Sequence, residues 1–218
     1  MTNISKTPKT ILAHGPSGSG KDTQIDLIAQ KLGIEKIGTG EMFRVLMKEN
    51  QELEQMINSG QFIPSEMTYG LLTGWMKNYD PGKDWIFVSV VRTFDQIELF
   101  DNLLKQYDRD LDHFIHFSLS EEKAVERMNL RKICSLCGEI YHDKYKPEKR
   151  ENICDKDGAE LVRRDDDKPE AIKRRLEEYN KSIEPILAEY KQRGILVDID
   201  ASLTIEEIHE EVLKKLRF

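Results

Sequence analysis

Gly15-Pro16-Ser17-Gly18-Ser19-Gly20-Lys21-Asp22-Thr23-Gln24 follows the short apolar run Thr10-Ile11-Leu12-Ala13-His14 and precedes a helical pattern carried by Ile25, Leu27, Ile28 and Leu32. Strand, glycine loop, lysine and helix, in that order, make a phosphate cradle. Glycines let successive backbone N–H groups converge on a polyphosphate, and the N-terminus of the following helix adds a favourable dipole. Lys21 then sets a positive charge against the β- and γ-phosphates. The spacing from Gly15 to Gly20-Lys21 fits the phosphate-loop pattern, but the next position departs from it. Asp22 stands where that pattern has Ser or Thr, and Thr23 is the nearest hydroxyl. The plain alternative is a Gly/Ser-rich turn with Lys21 solvated; the strand before it and the helix after it favour the cradle.

A chain of 218 residues suits one α/β domain with insertions, or one domain with a small satellite. Charged residues make up 33% of it and the net charge is −7, so no global field draws nucleic acid. Any site for a polyanion must be a local cluster of arginines. No apolar stretch approaches the length of a membrane span. Met1 to Thr10 lacks the apolar core of a secretory signal, so the expectation is a cytoplasmic protein. Three cysteines cannot all pair, and their clustering suggests a metal instead.

Short apolar runs at Thr10–His14, Ile34–Ile37, Trp85–Val91, Phe114–Leu119 and Ile195–Ile199 read as strands. Helical patterns fall at Lys21–Leu32, Glu41–Lys48, Glu52–Ser59, Ser65–Asn78, Phe94–Gln106, Glu121–Leu130, Glu170–Arg193 and Thr204–Leu216. This alternation predicts a parallel sheet with helices on both faces. Ligands of such sheets bind at the carboxyl ends of the strands, where the glycine loop falls. Glu41 to Asn78 is helical throughout and Arg131 to Asp167 has no helical period; both read as insertions. Ser120 before two acids is an N-cap, Gly194 a C-cap, and Pro185 is expected to kink its helix.

Cys134-Ser135-Leu136-Cys137 is followed after sixteen residues by Cys154-Asp155-Lys156-Asp157, with Gly138 and Gly158 directly after each group. This is a four-cysteine zinc spacing in which a carboxylate replaces the last sulfur, and Asp is a competent Zn²⁺ ligand. A closed site with four protein ligands is structural, so no metal chemistry is expected from it. Ordinary reduced thiols beside a loop acid are the alternative. A zinc ribbon on nucleic acid is a further one, opposed by the acidic surroundings from Glu151 to Asp167.

With these motifs in place the chain resembles the adenylate kinases nearly end to end. The glycine loop is similar to their Gly-x-Pro-Gly-x-Gly-Lys-Gly-Thr-Gln, with Ser17 for Pro and Asp22 for Gly. Ile37-Gly38-Thr39-Gly40-Glu41-Met42-Phe43-Arg44 and Arg92-Thr93 with Gln96 match two further family segments. Arg127 and Arg131 match arginines at the start of the family's lid, and Arg164, Asp166, Asp167 and Arg175 the pattern at its end. The cysteine insert is similar to the longer, zinc-bearing lid of many bacterial members.

The resemblance implies an α/β fold of the P-loop type, three-layer α/β/α with a five-stranded parallel sheet, a helical monophosphate-binding insert and a small zinc-stapled lid. It divides the chain into a core (1–38, 74–130 and 168–218), an AMP-binding insert (39–73) and a lid (131–167). It implies the reaction MgATP + AMP ⇌ 2 ADP, a structural Zn²⁺, no nucleic-acid or membrane partner, and a monomer. Catalytic roles fall on Lys21, Arg92, Arg131, Arg164, Arg175 and Asp166. ATP contacts fall on Gly15, Ser17, Gly18, Ser19, Gly20, Lys21, Asp22, Thr23, Arg127, Arg131, Ile140, Tyr141 and Leu203. AMP contacts fall on Thr39, Arg44, Gln61, Ile63, Ser89, Arg92, Gln96, Arg164 and Arg175, and metal ligation on Cys134, Cys137, Cys154 and Asp157.

Two departures matter. The family has Asp-Gly-Phe-Pro before the strand-end arginine; here Val88-Ser89-Val90-Val91 precedes Arg92. The strand-end Asp that helps organise Mg²⁺ in the family is therefore Val88. Leu130 replaces a family Gly before Arg131. A kinase of another base preference, or a nucleotide-binding protein of weak activity, stays open on these grounds.

Overall fold

A computed structural model describes residues 8–58, 63–163 and 167–216. In chain order the elements are β1 (Thr10–His14), α1 (Lys21–Leu32), β2 (Glu35–Gly38), α2 (Thr39–Leu46), α3 (Gln51–Asn58) and α4 (Ser65–Trp75), which runs into a 3₁₀ turn at Met76–Asn78. Then come β3 (Trp85–Val88), α5 (Gln96–Lys105), β4 (His113–Ser118), α6 (Glu121–Asn129), β5 (Arg131–Cys134), β6 (Ile140–His142) and β7 (Leu161–Val162). The chain closes with α7 (Pro169–Gln192), β8 (Leu196–Asp200) and α8 (Ile205–Leu216). Five strands form a parallel sheet in the order β2-β3-β1-β4-β8, as the α/β alternation predicts.

All five residues of the central strand β1 are buried. A strand covered on both faces reads as an unbroken apolar run instead of an alternating one, which is why Thr10–His14 was legible. Its register sets Ala13 opposite Val88 on one side and Ile115 on the other.

The chain falls into two compact units. One comprises the described residues of Met1–His14, Ile25–His116 and Ser182–Val197. Its core joins Leu12, Ile37, Trp85, Phe87, Phe100, Phe114 and Tyr190. Phe114 stacks on Tyr190 with centroids 4.3 Å apart, and Phe87 meets Phe100 edge-on at 4.9 Å. Arg109, 7% exposed, lies 3.8 Å over the Trp85 ring and donates to the carbonyls of Lys9, Pro81 and Lys83. One side chain thus ties the starts of β1 and β3, and a cation is tolerated there because carbonyls and a π-face replace its water.

The other unit comprises the described residues of Gly15–Gln24, Phe117–Lys181 and Asp198–Phe218. Ala124, Met128, Ile172 and Leu176 form a core between α6 and α7. β5 pairs antiparallel with β6 and β7 in a small separate sheet, Lys132 opposite Tyr141 and Ile133 opposite Val162.

Several boundaries differ from the sequence expectation. The strand expected through Val91 stops at Val88, because Ser89 takes a left-handed conformation (φ 52°) and turns the chain. The helix expected from Phe94 begins at Gln96. Among the described residues, the segment 131–167 holds three strands of two to four residues, too short for a period to register. The caps are as expected. Ser120 accepts the Lys123 N–H at 3.4 Å, and Gly194 (φ 73°) ends the α7 turn with its N–H on the Lys191 carbonyl. Thr204 and Glu207 form a reciprocal capping box before α8, the side chain of each accepting the other's backbone N–H. Among the described residues no helix is long and apolar enough to cross a membrane.

Candidate active site and metal cluster

The glycine loop leaves the end of β1 and is held by close contacts that exclude side chains. A Cβ on Gly15 would lie 2.7 Å from the Phe117 carbonyl oxygen and 3.0 Å from its Cβ. One on Gly18 would lie 2.7 Å from the Ala124 carbonyl, at a φ of 84° that already favours glycine. The loop closes through Ser19 N–H to the Pro16 carbonyl at 3.2 Å, and Gln24 N–H to the Gly20 carbonyl starts α1. Gln24 also anchors that helix by donating from Nε2 to the Ile205 carbonyl at 2.7 Å. The remaining N–H groups of the first turn are those a helix leaves for a ligand. The Ser19 hydroxyl is fully buried and has no hydrogen-bond partner among the described residues. Lys21 Nζ stands 3.8 Å from Asp22 Oδ2, with Asp22 the more exposed of the two. Ser17, Gly18 and Thr23 are partly exposed along the same loop.

A second cluster lies in the unit that holds β3. Thr39, the first residue of α2, is buried, and its hydroxyl donates to the Ser89 carbonyl at 3.5 Å. Gly38, not Thr39, occupies the N-cap position. The same Ser89 carbonyl accepts from Arg92 Nε at 3.1 Å, so the left-handed turn aims one oxygen at both groups. Gln96, 3% exposed, accepts the Arg92 N–H at 2.7 Å and donates to Ser65 Oγ at 3.1 Å. Ser65, foremost, holds the Asp95 carboxyl below the ordinary range. Each end of the Gln96 amide has a second hydrogen-bonding valence beyond these two bonds. Tyr69 donates to the Val90 carbonyl at 2.9 Å and pins the segment beyond Ser89. Arg44 is exposed on the last turn of α2, its guanidinium beside Gly40, and Ile63 is half-buried. Gln61 lies outside the described residues, as do Arg164 and Asp166. Ser65 and Asp95 were not foreseen as parts of this site.

In the other unit, Arg131 grips Asp167 with two donors, Nε to Oδ2 at 2.8 Å and Nη2 to Oδ1. Arg175 Nη1 reaches the same carboxylate at 3.4 Å. The Asp167 side chain is 3% exposed and orients two guanidinium groups. Two cations on one anion leave a net positive charge in this cluster. Arg127 donates to the Ala201 carbonyl at 2.8 Å, and its guanidinium stands 5.1 Å from the Tyr145 ring. Leu203 is 38% exposed. Ile140 is half-buried, whereas Tyr141 is buried against the cysteine cluster and accepts the Asp155 N–H at 2.7 Å.

Donor atoms of Cys134, Cys137, Cys154 and Asp157 all lie within 4.8 Å of one another. Cys137 Sγ is 3.7 Å from Cys154 Sγ, and Cys134 Sγ is 3.3 Å from Asp157 Oδ2. Sulfurs at about 2.3 Å from a tetrahedral ion would be about 3.8 Å apart, so the set fits a four-coordinate metal. The two loops are built alike. N–H groups of Leu136 and Cys137 point at Cys134 Sγ, that of Lys156 at Cys154 Sγ, and Gly138 and Gly158 turn back at φ 74° and 75°. Such N–H···S contacts favour thiolates. Without a cation the Asp157 carboxylate pushes the Cys137 thiol up to about 12, so the fully deprotonated set calls for a bound positive ion. Lys132 of β5 meets Glu148 at 2.9 Å, and that contact, with the Asn152 N–H, holds the Glu148 carboxyl at about 2. The stabilisation is complete above the ordinary Glu range and fades as pH falls from about 4.5 to about 2.

A glycine loop after the central strand of a parallel sheet, with lysine opening the next helix, defines a phosphate-loop nucleotide-binding protein. A sequence model of the adenylate kinase family matches residues 13–195. Adenylate kinases of Archaeoglobus fulgidus and Oceanobacillus iheyensis are each 36% identical to the chain, over 202 and 206 residues. These alignments cover 91% and 93% of this chain, and 93% and 96% of the relatives. A Staphylococcus aureus adenylate kinase matches at 36% over 207 residues. The chain belongs to the adenylate kinase family, and it is a phosphotransferase.

Proposed function

We propose that the chain transfers the γ-phosphate of ATP to AMP reversibly, giving two ADP, with the following division of labour. Backbone N–H groups of Gly15, Ser17, Gly18, Ser19 and Gly20, with Lys21 and Thr23, hold the donor phosphates. Arg127, Ile140, Tyr141 and Leu203 flank the donor base. Thr39, Arg44, Gln61, Ile63, Ser89, Arg92 and Gln96 take AMP, the arginines on its phosphate and Gln96 on its base. Arg131, Arg164 and Arg175, oriented by Asp166 and Asp167, neutralise charge on the phosphoryl group in flight. Phosphoryl transfer asks for positioning and charge stabilisation more than for a nucleophile on the protein. Arginine suits that work because its fork matches phosphate oxygens in pairs. Mg²⁺, carried on ATP, supplies further charge neutralisation. Residues 39–73 serve as the AMP-binding arm and 131–167 as the lid, and Cys134, Cys137, Cys154 and Asp157 hold a structural Zn²⁺ that keeps the lid folded.

The observation that carries this reading is the loop Gly15–Lys21, where two glycines sit against carbonyls at distances no side chain tolerates. The test is ADP formation from ATP with AMP, GMP, CMP or UMP as acceptor. AMP should be preferred by at least about tenfold in kcat/KM, as expected where a buried amide reads the base edge. Equal use of GMP would reassign Gln96, and binding of ATP without turnover would leave a nucleotide-binding protein.

A further inference from the structure

The residue after the loop lysine usually brings a hydroxyl to the Mg²⁺ that accompanies a nucleoside triphosphate. In this chain that residue is Asp22, in the first turn of α1, and its carboxylate stands 3.8 Å from Lys21 Nζ. An acid there is a liability on its own. It partly cancels the charge of Lys21 and repels the phosphates that the surrounding N–H groups attract. The Ser19 hydroxyl, buried with no partner among the described residues, leaves a hydrogen-bond donor and acceptor open in the same loop, as a polar ligand there would use. Val88, the register partner of Ala13 two residues before the loop, is 5% exposed and offers no oxygen donor.

We infer that Asp22 is a ligand, direct or through one water, of the divalent cation carried by the phosphate donor. A hard carboxylate replaces the usual hydroxyl, and the cation turns the repulsion between Asp22 and the phosphates into a bridge. Free nucleoside triphosphate is then disfavoured at this loop and the metal complex favoured, so Asp22 makes the site selective for the charged-and-paired form of its substrate. This inference rests on the reading of Gly15–Thr23 as the donor phosphate site.

The test compares the wild-type protein with Asp22→Asn and Asp22→Gly by calorimetric titration with ATP, in excess Mg²⁺ and in excess chelator. Binding of Mn²⁺ to the protein–ATP complex, read by electron paramagnetic resonance, gives a second signal independent of turnover. Losing one metal partner typically costs about 10–100-fold in affinity. The ratio of ATP affinities with and without Mg²⁺ should fall about tenfold or more in both variants, metal-free ATP should bind more tightly than to wild type, and Mn²⁺ should bind less tightly. An unchanged ratio overturns the inference. So does an equal gain in affinity for both forms, because Asp22 would then act only as a brake on Lys21. Failure of the wild-type protein to bind ATP in either condition would instead remove the donor-site reading itself.

Discussion

Lys21→Met should lower kcat/KM for ATP and AMP by about three orders of magnitude, or about 4 kcal/mol of transition-state stabilisation. Lys21 opens α1, and its side chain is largely buried, 14% exposed, beside Asp22. Methionine keeps the length and apolar stem but loses the charge, so the effect isolates electrostatics from packing. Lys21 is the one cationic side chain of the loop Gly15–Thr23, so the negative charge that accumulates on the β- and γ-phosphate oxygens otherwise meets only dipoles there. Steady-state ADP formation measures the loss, and thermal unfolding checks that the fold survives. A loss under tenfold with the melting temperature unchanged would remove Lys21 from the chemistry.

Cys154→Ser should have the second large effect, this time on stability. Cys154 is 1% exposed and its sulfur lies within contact of the Lys156 N–H, the Tyr141 hydroxyl and Cys137 Sγ. The small sheet around it has a core of Cys134, Tyr141, Cys154 and Leu161 with Ala159 against it, too few apolar groups to hold strands of two to four residues by burial alone. Metal ligation is what replaces a core in such a segment. Serine in place of Cys154 should release the metal, lower the melting temperature by on the order of 10 °C, and open residues 131–163 to proteolysis while β1 to β4 stay protected. A strong chelator should act on the wild type in the same way. Metal analysis, calorimetry and limited digestion read the three consequences; retained stability with no metal in the purified protein would make the cysteines ordinary thiols.

How much of this was legible in the sequence differs from element to element. The buried central strand announced itself through five consecutive residues with no alternation, and the loop through glycines whose spacing has a steric cause at Gly15 and Gly18. The cysteine cluster was equally plain, since two Cys-x-x knuckles are each followed directly by a glycine in the left-handed region. Other features depend on residues far apart in the chain. Ser65 reaches Gln96 across 31 positions, and no local pattern marks either end. Asp167 is held by two arginines, one from 36 positions earlier, a pairing that no local pattern marks. Ser89 ends β3 in a conformation that serine seldom adopts, so the apolar run from Trp85 to Val91 read as continuous strand. Propensity cannot show where tertiary contacts force a strained turn.

The most direct measurement is a crystal structure with AMP and a non-hydrolysable ATP analogue bound together. The account predicts the terminal phosphates of the two nucleotides meeting beside Lys21, with guanidinium nitrogens of Arg44, Arg92, Arg131, Arg164 and Arg175 within about 3 Å of phosphate oxygens. Nucleotides bound with those five side chains turned to solvent, or with the acceptor phosphate remote from Lys21, would contradict it.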